Sequence, residues 1–189
     1  MALSSPTKRN LIHTRDIKCL GYERDDGLWD IEGRITDIKS YSFTNMDRGE
    51  VNAGTPVHDM TVRLTINTDL VIVDTEAFME FTPFAICPAI SESIKKLIGV
   101  QIKSGWTRAV NNAIGGVKGC THINQLLIGP LATTAYQSIV PRKAHKITLN
   151  KQSPEIPPGE KPDVLDTCHA FDTSGENVKR LWPKFYQSK

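Results

Sequence analysis

The side chains best suited to chemistry in this sequence are His58 and Asp59, Cys87, and the pair Cys120 and His122. An imidazole beside a carboxylate is the simplest acid/base pair that titrates near neutral pH. His58, Asp59 and Cys87 are therefore candidate catalytic groups. Cys87 and Cys120 both fall at predicted helix starts, where unpaired N–H groups and the helix dipole favour a thiolate over a thiol. Cysteine and histidine are also the ligand types of a tetrahedral zinc or iron centre, so Cys87, Cys120 and His122 form the candidate metal set. Each residue has a plainer alternative. The cysteines serve equally well as small buried hydrophobes, His58 as an edge-strand residue bonded to a loop carbonyl, Asp59 as a turn cap, and His122 as an exposed residue of a first helical turn.

A second polar group precedes them. Between Tyr22 and Asp30 the chain crowds charges and aromatics around Asp25-Asp26-Gly27. Turn chemistry accounts for the Asp-Asp-Gly run. The functional alternative makes Arg24, Asp26 and Trp29 a substrate-binding wall, with the Arg24 guanidinium suited to a carboxylate. Cys168 and His169 are adjacent on an extended tail and point opposite ways, which disfavours shared ligation. Neither a G-x-S-x-G elbow, nor H-E-x-x-H, nor a Gly-rich phosphate loop occurs.

The elements that must position these groups follow from periodicity. Leu28 to Ile38 alternates Trp29, Ile31, Gly33 and Ile35 against polar partners, which predicts a half-solvated strand. Met60, Val62, Leu64 and Ile66 repeat the pattern. Asn67, Thr68 and Asp69 then turn the chain into a β-branched run from Leu70 to Phe78, which predicts an antiparallel hairpin. No crossover helix separates these runs, so a doubly wound parallel sheet is excluded. From Cys87 the period becomes helical, with Ile90, Ile94, Leu97 and Ile98 on one face, Pro88 in the first turn and Gly99 as a stop. Further helices are predicted over Trp106 to Ile114 and from Thr121 onward, the latter kinked at Gly129-Pro130. The fold class expected is α+β, a small antiparallel sheet with helices packed on one face.

Bulk properties narrow the role. A chain of 189 residues suits one core, divided here into a flexible arm over 1–15, an α+β domain over 16–150, a Pro-rich connecting loop over 151–163 and a segment over 164–189 that packs back on the domain. A formal charge of +2 offers no basic field for nucleic acid, and no apolar run is long enough to cross a membrane. Four dispersed cysteines without a C-x-x-C pair, and an amino terminus lacking an apolar signal stretch, point to reduced thiols and a cytoplasmic location.

Several strings resemble a bacterial family of unassigned function: Gly21-Tyr22-x-Arg24-Asp25-Asp26-Gly27-Leu28-Trp29-Asp30, Pro56-Val57-His58-Asp59-Met60, Ile86-Cys87-Pro88, Gly119-Cys120-Thr121-His122, Gly129-Pro130-Leu131-Ala132 and Trp182-Pro183-x-Phe185-Tyr186. The likeness spans about Ile17 to Tyr186. It implies a catabolic role, since that family is often associated with pathways for aromatic or lignin-derived compounds. Val57 to Ile139 is also similar to IscU/NifU-type iron–sulfur scaffolds, which implies a SufE/NifU-like core. There Cys87 matches the second scaffold cysteine and Gly119-Cys120 stands where an H-C pair would be, while Val57-His58-Asp59 replaces the C-G-D motif and lacks its cysteine. Two functions are expected from these readings. One is a lyase or hydrolase acting on a small aromatic substrate at a His/Asp/Cys site, with a homodimer as the candidate assembly. The other is a zinc or iron–sulfur carrier without turnover.

Overall fold

The computed structural model describes residues 3–149, 161–162 and 164–188. It divides into two compact units, Met1–Lys143 and Ala144–Lys189. The first is α+β, as expected. Its sheet comprises β1 (His13–Glu23), β2 (Trp29–Lys39), β5 (Pro56–Ile66) and β6 (Ile72–Phe81), in the order β1-β2-β5-β6 with every pairing antiparallel. A two-stranded hairpin, β3 (Phe43–Asn45) and β4 (Gly49–Val51), is inserted between β2 and β5.

Alternation decides which face is covered. Trp29, Ile31 and Ile35 of β2 are buried with Met60, Val62 and Leu64 of β5, and the ladder sets Ile31 opposite Leu64, Gly33 opposite Val62 and Ile35 opposite Met60. Side chains of one parity share a face, so these residues line the core side. The other face carries ion pairs, among them Arg63 with Glu76, and the Thr65 hydroxyl donates to Asp30 at 2.7 Å. The β5–β6 turn closes as predicted: the Asn67 side-chain oxygen accepts from the backbone N–H groups of Asp69 and Val71, both at 3.0 Å.

The helical layer supplies the remaining core. The segment Cys87–Leu97 is a 3-10 helix rather than the predicted α-helix. Its turns close through i to i+3 bonds, as from the Ala89 N–H to the Ile86 carbonyl at 3.1 Å, and the buried Ile94 and Leu97, three apart, stack along one edge. Ile98, expected on the apolar face, is 45% exposed. Helix α1 (Trp106–Ile114) has the predicted bounds, with Gly115 as its C-cap. Helix α2 (Thr121–Leu126) continues through a π-helical segment, Leu127–Leu131, into α3 (Ala132–Leu149). The π segment contains Pro130, which has no N–H to offer and displaces the regular ladder. The buried Trp106 indole donates to the Leu127 carbonyl at 2.9 Å.

Gly33 lets this layer sit close on the sheet. A Cβ there would lie 2.8 Å from Leu131 Cδ2 and 3.2 Å from Leu126 Cδ1.

In the second unit, α4 (Glu176–Leu181) buries Val178, the Phe171 and Trp182 rings lie 5.9 Å apart, and the Gln187 N–H donates to the Thr173 carbonyl at 2.9 Å. Apart from Lys161 and Pro162, the Pro-rich loop assigned to 151–163 lies outside the described residues. Among the described residues, no helix is long and apolar enough to cross a membrane.

Candidate active site

Three strands contribute one residue each to a single row at the end of the covered face. In the ladder Arg15 of β1 stands opposite Asp37 of β2, which stands opposite His58 of β5. Asp37 continues the inward series Trp29, Ile31, Gly33, Ile35, and His58 continues Leu64, Val62, Met60. The β2–β5 pairing shifts register just past this row, between Asp37 and Ile38. Such a bulge bends the strand and re-aims side chains.

Asp37 is 1% exposed and is the centre of the group. Arg15 clamps it from one side, with Nε 2.7 Å from Oδ1 and Nη2 2.7 Å from Oδ2. His13 Nε2 lies 3.0 Å from Oδ1 and His58 Nδ1 3.0 Å from Oδ2. From the helical layer, α2 presents His122 and Gln125, which are three apart and share one side of the helix. His122 Nε2 is 3.6 Å from Asp37 Oδ2, and Gln125 Oε1 accepts from Arg15 Nη1 at 2.9 Å. The rings of His58 and His122 face each other at 3.8 Å between centroids, tilted by 34°. Cys120, the residue that caps α2, has its Sγ 3.9 Å from His122 Nδ1 and 4.0 Å from Met60 Sδ.

The electrostatics follow from this packing. Burial alone would raise the Asp37 carboxyl, but the Arg15 hydrogen bonds and charge, helped by His13 and His58, lower it to about 2. Asp37 is thus an anion at neutral pH and can only accept. His58 must then carry its proton on Nδ1 and keep Nε2 as a free acceptor. Burial holds His58 below the ordinary imidazole value, against the pull of Asp37. His122 is lowered by burial first, then by the neighbouring His58 and Arg15, again opposed by Asp37. A neutral imidazole oriented by an ionised carboxylate is equipped to take a proton. The His58 side chain is 15% exposed and that of His122 22%, so both remain within reach of solvent.

The sequence-derived candidates divide. His58 and His122 belong to the group, and Cys120 adjoins it. Asp59 does not. Next to His58 on a strand, it points to the opposite face, where it is bound by Arg34 with Nε to Oδ1 at 2.7 Å and Nη2 to Oδ2 at 2.5 Å. The carboxylate that serves His58 is Asp37 instead. Arg24, Asp26 and Trp29 lie at the other end of the sheet, where Trp29 opens β2 eight residues, or roughly 26 Å, from Asp37. There the Arg24 guanidinium is taken up by Asp26, at 2.6 Å, and by Asp30, at 3.2 Å, and Trp29 is buried in the core. Cys87 is half-buried against the core, and no hydrogen bond joins it to the group among the described residues. It follows Ile86, the cap of the 3-10 segment, rather than capping a helix itself. All four cysteines are free, and Cys168 is exposed.

His13, Arg15 and Asp37 were missing from the sequence reading. The last three residues of the arm assigned to 1–15, His13, Thr14 and Arg15, already belong to β1. Parity held the missing signal. Extending the inward series of β2 by one step reaches Asp37, and extending that of β5 reaches His58, leaving Asp59 outside.

The arrangement can also hold a cation. Asp37, His58 and His122 each offer a ligand atom, and these atoms lie within 4.8 Å of one another. Two imidazoles and a carboxylate suit zinc or iron. Arg15 opposes such an ion, since it occupies both carboxylate oxygens.

No curated protein and no solved structure matches the chain. A family model does match, over residues 13–137, a stretch that opens at His13 and contains every member of the Asp37 group together with Cys120. The chain therefore belongs to the family described as a protein of unknown function, DUF2889.

Proposed function

We propose that this protein is a general acid/base enzyme acting on a small molecule, with His58 as the proton acceptor, Asp37 as the carboxylate that orients it, and Arg15 as the cation that keeps Asp37 ionised. The observation that carries the reading is the 3.0 Å contact between His58 Nδ1 and a buried, Arg15-clamped carboxylate. It leaves Nε2 as a base in its neutral form at physiological pH. A lyase or hydrolase reaction on an aromatic compound is the version favoured by the resemblances in the sequence, and a cytoplasmic, reduced setting agrees with four free thiols. The test is a screen of aromatic acids, esters and ethers for turnover, repeated with His58→Gln and Asp37→Asn. Loss of a positioned base lowers kcat/KM by about 10² to 10⁴. Unchanged turnover in both variants would overturn the assignment.

A metal-dependent or carrier reading has its own support in the three converging ligand atoms of Asp37, His58 and His122. Elemental analysis of protein purified without chelator, with an anaerobic visible spectrum, separates the readings. Stoichiometric zinc or iron that is lost in His122→Ala favours the metal centre, and a chromophore transferable to an acceptor protein favours the carrier.

A further inference from the structure

The acid/base reading uses His58 and leaves a second constellation unassigned. His122 is bracketed on both of its nitrogens. Nδ1 faces the Cys120 sulfur at 3.9 Å, and Nε2 faces Asp37 Oδ2 at 3.6 Å. Sulfur, imidazole and buried carboxylate thus lie in series, the order in which a thiol loses its proton to a base that a third group orients. Both distances exceed those of well-formed hydrogen bonds, as is common before a substrate closes a site. The other cysteines lack this setting. Cys19 is paired with Thr134, Cys87 packs against the core, and Cys168 is exposed in the second unit. Met60 also adjoins the sulfur, with Sδ at 4.0 Å.

We infer that Cys120 is a nucleophile served by His122, and that the site takes activated acyl compounds, esters or thioesters, through a covalent thioester on Cys120. The inference rests on the reading of the Asp37 group as a reaction centre, but it does not require His58 to be the base. The step balances without an oxidant or reductant. Sγ attacks the carbonyl carbon, a C–S bond forms, and the thiol proton passes to His122 Nδ1. The tetrahedral adduct collapses with cleavage of the bond to the leaving alkoxide or thiolate, which takes that proton. Water, deprotonated by the same imidazole, then attacks the thioester, releases the acid and restores the thiol. The charged and titratable groups facing His122 are Asp37, Arg15 and His58, and Asp37 is the one that favours the imidazolium formed in transit.

Two probes test this on the full chain. The first is iodoacetamide at pH 6, with the extent of labelling at each of the four cysteines read by peptide mass mapping. Cys120 is expected to react about ten-fold or more faster than the exposed Cys168, and His122→Gln is expected to remove that advantage. The second is p-nitrophenyl acetate under single-turnover conditions, with an acetyl adduct expected on Cys120 and absent from Cys120→Ser. Labelling of Cys120 no faster than Cys168 in the unmodified protein, with no acetyl adduct, would overturn the inference without relying on the folding of any variant. If His58-dependent turnover persisted beside that result, the acid/base reading would stand and only the nucleophile would fall.

Discussion

Asp37→Asn is the perturbation that reaches the centre of the site with the least change of shape. The amide keeps the size of the carboxylate but loses its charge, leaving Arg15 without its anion and His58 without an obligate acceptor. A carboxyl held at about 2 instead of 3.8 favours the folded state by at most about 2.4 kcal/mol at pH 7. The Arg15 and His13 side chains are 35% and 45% exposed, and water screening brings the figure to about 1 to 2 kcal/mol. Because the folded value is depressed, this stabilisation is present above pH 3.8 and is lost as the pH falls through 2. His58 and His122 add a second region. Their folded values are also depressed, so their contribution is present above pH 6.5 and is lost as acid protonates them in the folded state. Asp37 is the group that supports their protonated forms, so the variant suffers more in this range than the parent. Urea unfolding at pH 7.5, 5, 3 and 2 is the assay, and a denaturant slope near 2 kcal/mol/M places the midpoints roughly 0.5 to 1 M apart at pH 7.5. The gap is expected to widen toward pH 5 and to close below pH 3. A gap that stays constant across this range, or no gap at pH 7.5, would refute the account of Asp37 as an ionised hub.

Gly33→Ala places a methyl group against Leu131 and Leu126 and is expected to cost about 1 to 3 kcal/mol in chemical denaturation. Trp106→Phe keeps the ring packing but leaves the Leu127 carbonyl without its indole donor, an expected loss of about 1 to 3 kcal/mol by the same measurement. Asp59→Asn is expected to leave the NMR titration of the His58 ring unchanged, since Asp59 and its Arg34 partner occupy the opposite face of the sheet. A displaced His58 titration in that variant would contradict the parity of β5.

Much of the scaffold was legible because its residues obey one period at a time. The alternation through Trp29, Ile31 and Ile35, and through Met60, Val62 and Leu64, marks β2 and β5, and the bounds of α1 follow from its apolar spacing and terminal glycine. Strand β1 was not legible. It is an edge strand exposed along most of its length, so burial does not impose alternation on His13 to Glu23, and the stretch reads as a polar arm running into a turn. The site was half legible for a related reason. Chemistry-bearing residues were sought as neighbours in sequence, which pairs His58 with Asp59. A strand brings together residues across its ladder and separates those that are consecutive. The partners of His58 came from β1, β2 and α2, none of them adjacent in the chain. Cys87 was drawn in by its place before a proline, a local signal that carries no information about what lies across the sheet.

A site assembled from one rung across three strands ties chemistry to pairing. A single-residue insertion or deletion that slipped β1, β2 or β5 by one position would send Arg15, Asp37 or His58 to the far side of the sheet. A slip of two would restore the side but shift that residue by roughly 6.6 Å along its neighbours. The imidazole–carboxylate contact thus doubles as a proofreader of strand alignment. A slip of one also turns that strand's apolar series outward, so only a slip of two is expected to keep the interior while taking the Asp37 group apart.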